Sequence, residues 1–85
     1  MTQDEVKKHL QMIIDYDVSK VARSPGGFLY NYMRYGRDLL QRKASDSGLT
    51  WEQKRNAFIA RHLAEYKINP TDRHRHALIA WAYMP

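Results

Sequence analysis

The sequence predicts an all-α fold, a small single-domain bundle of about four short helices spanning residues 1–85, and three observations carry that prediction. Apolar residues recur at steps of three and four along nearly the whole chain, which is the spacing of one helix face. Turn residues cluster at 24–27, 45–49 and 68–70 and divide the periodicity into four runs. No stretch alternates apolar and polar residues as a half-buried strand does. A chain of 85 residues, 44% hydrophobic and 27% charged, has the length of one domain and the balance of a globular one.

Thr2 and Glu5 have the spacing of a capping box, and Val6, Leu10, Ile13, Ile14, Val18 and Val21 follow as one stripe. They predict a first helix over 3–23, ended by Ser24-Pro25-Gly26-Gly27. A second helix is expected over 28–44. Its wide apolar face includes Phe28, Tyr32, Tyr35 and Leu39, and Gly36 lies inside it, where close approach of another helix would explain a glycine. Ser45-Asp46-Ser47-Gly48 reads as a turn. Thr50 and Gln53 repeat the capping box and open a third helix, with Trp51, Phe58, Ile59, His62, Leu63 and Tyr66 inward and an end near Lys67. The fourth helix is expected to start with Asn69 as its cap and Pro70 at its first position. From Ala77 to Met84 that helix is apolar nearly all round. Leu78 and Trp81 are its expected core residues, and a spare face remains for another chain.

Composition excludes several classes. With no cysteine there is no disulfide framework, thiol nucleophile or thiolate metal site, which suits a cytoplasmic setting. The longest apolar run, Ala77–Met84, is far shorter than the ~20 residues of a membrane span. Met1 to Glu5 is acidic and polar, unlike a secretory signal. Nucleotide-binding glycine loops and serine-hydrolase elbows are missing, and Asp15 and Asp17, two apart on a helix, diverge. No cofactor and no catalytic residue is therefore expected. A metal is not expected either, because His74 and His76 would point about 200° apart around a helix axis.

The charge is uneven. Residues 1–33 are neutral, whereas residues 34–85 carry ten Lys or Arg against five Asp or Glu and so hold the whole net charge of +5. A basic portion favours an acidic partner. Arg34, Arg37 and Arg42 fall on one outer face of the second helix, beside Lys43. Lys54, Arg55 and Arg61 decorate the third helix, and Arg73 and Arg75 the start of the fourth, where they could bind a phosphate or carboxylate. Residues Leu40 to Gln53 partly match a helix-turn-helix, with Ala44, Gly48 and Leu49 in place, but Lys43, Ser47 and Lys54 stand where the motif needs apolar residues. An ordinary helix hairpin accounts for them better. Tyr30 lies off the inner stripes and Tyr83 on a helix that cannot bury its whole circumference, and both suit a protein interface.

The sequence thus points to a small basic non-enzymatic regulatory or accessory protein, of a kind compatible with phage or plasmid accessory factors. Its leading expected partner is nucleic acid, DNA included, held by the basic C-terminal portion. The alternative is a protein-interaction module, an adaptor or inhibitor docking on an acidic protein surface. The spare apolar face also admits a homo-oligomer.

Overall fold

Thr2 starts the first helix as its side chain demands. Its hydroxyl accepts from the Glu5 amide while the Glu5 carboxylate accepts from the Thr2 amide, satisfying two orphan donors together. The computed structural model, which describes residues 1–44 and 48–85, then departs from the long helix predicted over 3–23. Three short helices replace it: α1 (Gln3–Lys7), α2 (Leu10–Asp15) and α3 (Lys20–Arg23). The break after α2 has a definite cause. Asp17 takes a left-handed φ of 52°, the Asp17 amide donates to the Ile14 carbonyl at 2.9 Å, and the Val18 amide donates to that of Ile13 at 3.3 Å. These are the two bonds of a Schellman turn, with Val18 and Ile13 both in the core. Past this turn Val21 no longer continues the inner stripe; it is 81% exposed.

The second predicted helix is also shorter than expected. α4 (Phe28–Tyr35) ends at Gly36, whose φ of 63° and ψ of −146° no helix interior contains. What approaches Gly36 is a side chain of α1, that of Gln3, and not a helix backbone; its Nε2 donates to the Met33 carbonyl at 3.0 Å. A 3-10 segment (Gly36–Gln41) follows, and Arg42 is extended. Lys43 and Thr50 form an isolated antiparallel bridge, flanked by bonds from the Ala44 amide to Leu49 and from the Trp51 amide to Arg42. Extended backbone at Arg42 ends the helix-turn-helix match, which needs a helix there. The turn predicted at 45–47 lies outside the described residues; Gly48 beside it is left-handed, at φ 73°.

α5 (Trp51–Ile68) opens with the predicted Thr50–Gln53 capping box. α6 (Asp72–Ile79) is capped by Thr71, whose hydroxyl accepts from the His74 amide, so Asn69 and Pro70 belong to the linker. A second Schellman-type turn closes α6, with bonds from Ala82 to Ile79 and from Tyr83 to Leu78 and a φ of 59° at Ala82. The helix therefore ends several residues before Met84.

The protein is an all-α small bundle. α1 and α3 pack on α4, α2 packs on α6, and α5 packs on the 3-10 segment and α6. Val6, Ile13, Phe28, Tyr32, Leu39, Leu78 and Ile79 are fully or almost fully buried between them. On α5 only Trp51 is buried; Phe58, Ile59, His62, Leu63 and Tyr66 are half-buried, because this helix lies across the bundle edge. Among the described residues no helix is long and apolar enough to cross a membrane.

Candidate binding face

Five stacked rings organise one side of the molecule. Tyr32 stacks on Phe28 (5.2 Å between centroids), Phe28 on Trp81 (4.8 Å), Trp81 on Phe58 (4.5 Å) and Phe58 on His62 (4.0 Å). The column runs from the core outward and joins α4, the turn after α6, and α5. Arg55 holds that turn in place: its guanidinium donates to the Trp81 and Ala82 carbonyls, each at 2.7 Å. Burial lowers the pKa of this guanidinium, with Arg37 acting in the same direction.

Beside the column an open groove of about 530 Å³ runs between α3 and α5. Val21 and Leu49, 81% and 45% exposed, form apolar walls with Ala57, and the Trp51, Phe58 and Trp81 rings lie between them. Lys20, Lys54 and Arg61 stand around it, and no Asp or Glu is among its described lining residues. A smaller recess of about 320 Å³ shares Gly26 and Trp51 with the groove and adds Tyr35, Arg42 and Lys43. No acidic residue is among its described lining either. The two concavities make one face with five cations. Lys54 lies over the Trp51 ring at 5.4 Å and Arg42 over the Tyr35 ring at 4.2 Å, which covers the aromatic surfaces at the rim. Lys20 also helps hold the Asp17 carboxyl below its ordinary pKa, after the larger effect of the Arg23 hydrogen bond.

The structure thus brings Arg42, Lys43, Lys54 and Arg61 to a common face, with Arg34 at its edge over Tyr35, and engages Arg55, Arg73 and Arg75 elsewhere. The break at Gly36 interrupts the helix expected to carry Arg34, Arg37 and Arg42, yet Arg34 and Arg42 both lie over the Tyr35 ring, at 5.4 and 4.2 Å, and Arg34 also borders a second groove of about 410 Å³ with Tyr30. Arg55 is bound to backbone carbonyls. Arg73 donates to the Tyr16 carbonyl, and Arg75 faces Asp72 at 3.7 Å. Tyr30 is 43% exposed, whereas Tyr83 is half-buried in the final turn. Lys20, Val21 and Leu49 were not legible as site residues. Val21 reads as core by spacing, and only the left-handed residues at 17 and 19 turn it outward.

The histidines serve packing. His76, 3% exposed, donates from Nδ1 to the Asp72 carbonyl at 2.9 Å, and its Nε2 lies 3.4 Å from His9 Nδ1. His62 and His74 approach the Glu65 carboxylate at 3.6 and 3.8 Å. Among the described residues no group of three His, Asp or Glu is placed to hold a metal ion.

No family model matches the chain, and no curated protein or solved structure is significantly similar to it.

Proposed function

We propose that this chain is a non-catalytic interaction module, an adaptor or inhibitor, that docks an acidic protein surface on the face built by α3, α5, Arg42, Lys43 and Leu49. One observation carries the reading: an apolar groove bordered by cations, with no acidic residue among its described lining. Exposed apolar walls favour burial, and a cluster of cations attracts carboxylates, so a partner offering both gains from each. Nucleic acid, which the net charge of +5 also favours, suits the groove less well. Base stacking needs free ring faces. Here Phe28, Trp81 and Phe58 each stack with two rings already, and Lys54 lies over the Trp51 ring.

The test is a fluorescence titration of the protein, whose two tryptophans both line the groove, with acidic polypeptides and with duplex DNA, single-stranded DNA and RNA. Saturable binding of acidic polypeptide, weakened by Lys54→Glu with Arg61→Glu, is the expected result. Tighter binding of a nucleic acid, falling steeply as salt rises, would overturn the reading and restore phosphate recognition.

A further inference from the structure

We infer that the groove receives an amphipathic, acidic α-helix of a partner protein, laid along α5. This inference rests on the acidic-partner reading above and names the shape of the segment that the face takes.

The geometry of α5 supplies the argument. Lys54, Ala57 and Arg61 recur at steps of three and four, so they share one face of an 18-residue helix. Lys54 and Arg61 are two turns apart, about 10.5 Å along the axis. Ala57 stands between them, exposed and short, so a second helix can come to ordinary packing distance, about 8–10 Å between axes. Beyond Arg61 the face carries Glu65 and then Ile68, and neither lines the groove, so its apolar and basic part runs from Lys54 to Arg61. Across the groove Val21 projects from α3, and Lys20 stands beside it. An incoming helix therefore meets apolar carbon along its middle and cations along its sides. Leucine-like residues at i, i+3 or i+4, and i+7 satisfy the first condition, and two carboxylates seven residues apart satisfy the second. An extended peptide fits less well, since strand addition needs an open sheet edge and the described residues form only the single Lys43–Thr50 bridge. A second copy of the chain does not supply the helix: its acidic helices α1 and α2 have five and six residues, too short to span Lys54 to Arg61.

The probe is a peptide of about 15 residues with that pattern, compared with a scrambled peptide of the same composition and with an oligoglutamate of equal length. Tryptophan fluorescence reads occupancy, and far-UV circular dichroism reads helix gained on binding. The patterned peptide is expected to bind about tenfold tighter than either control and to gain helix when bound. Ala57→Phe, which fills the groove from an exposed position, should weaken it about tenfold. Val21→Glu, at the most open wall, gives the same readout should the first variant melt early. Lys54→Glu with Arg61→Glu should abolish binding, and a peptide carrying lysines in place of its two carboxylates should restore it. Equal binding of all three peptides, indifferent to Ala57→Phe and Val21→Glu, would overturn the helix inference while leaving the acidic-partner reading in place. Failure of every acidic probe would overturn both. A dimer in sedimentation that Ala57→Phe dissolves would make a second copy the occupant and would also overturn the inference.

Discussion

Gly26 and Gly27 are neighbours, and replacing each by alanine should have opposite effects. A Cβ on Gly27 would lie 2.1 Å from the Val21 carbonyl oxygen, 2.5 Å from that of Ala22 and 2.6 Å from the Ala22 carbonyl carbon. All three atoms are backbone, so no side chain can rotate away; α3 must shift from the start of α4 or α4 must unwind. Inserting a methylene into a packed core costs about 1–3 kcal/mol even where side chains can adjust. Displacing backbone belongs at or above the upper end, about 3 kcal/mol. A change of about 1 kcal/mol moves the midpoint by about 4–8 °C in a domain of this size, so Gly27→Ala should lower Tm by about 12–24 °C. A Cβ on Gly26 meets nothing within 4 Å, and its φ lies outside the left-handed region. Gly26→Ala should therefore stabilise by about 0.4–1 kcal/mol through the unfolded chain, raising Tm by a few degrees. Thermal melts followed by circular dichroism decide the matter. Equal Tm values for the two variants, or a Gly27→Ala protein as stable as wild type, would refute the claim that α3 and α4 touch through backbone here.

Three further outcomes follow from the packing and the charges. Trp81→Ala should destabilise by about 3 kcal/mol, the lower end for a core tryptophan because this ring is half-buried; a denaturant midpoint within error of wild type would show that the ring column contributes nothing. Arg55→Ala removes two charge-assisted hydrogen bonds to the final turn and should cost at least about 2 kcal/mol, while exposed Arg61→Ala should cost under about 0.5 kcal/mol, which urea melts of the pair can check. His9 and His62 are held below the ordinary imidazole value of 6.5, in both cases mainly by burial. The unfolded chain therefore takes up protons first as pH falls through 6.5, so stability is full above that value and declines below it. Asp17, hydrogen-bonded to Arg23, and Asp72, hydrogen-bonded to Tyr16, lie below 3.8; their contribution is present above that value and is lost as pH falls through the lower folded values. Melts from pH 8 to pH 3 should show both declines in about those windows, with His9→Gln shrinking the first; a protein more stable at pH 5 than at pH 7 would contradict the assignment.

Some of this structure is legible in the residues and some is not. The capping boxes at Thr2 and Thr50 locate two helix starts because the interaction is local: a hydroxyl, an amide and a side chain three residues on. The ends of α2 and α6 resist reading because the left-handed positions there are Asp17 and Ala82, where glycine would have been the signal. Tertiary contacts hold them, through buried Val18 in one turn and the Arg55 bonds in the other. Gly36 is visible as an anomaly, yet only its φ shows that it ends a helix rather than admitting one. The basic candidates divide for a related reason. Lys54 and Arg61 keep their places because α5 is continuous, while Arg55 on the same helix is drawn inward by carbonyls 26 and 27 residues away in sequence. No local pattern announces a partner so distant.

The contact between α2 and α6 bears on the order in which the chain can acquire its structure. Helices of four to six residues, such as α1, α2 and α3, lie well below the ~12–15 residues at which an isolated helix becomes even marginal in water. Their apolar side chains wait for Leu78, Ile79 and Ala80 to close the same core. The short helices of the first third therefore depend for their stability on packing that residues in the seventies complete. Among the described helices α5, at 18 residues, is the one whose length exceeds that threshold.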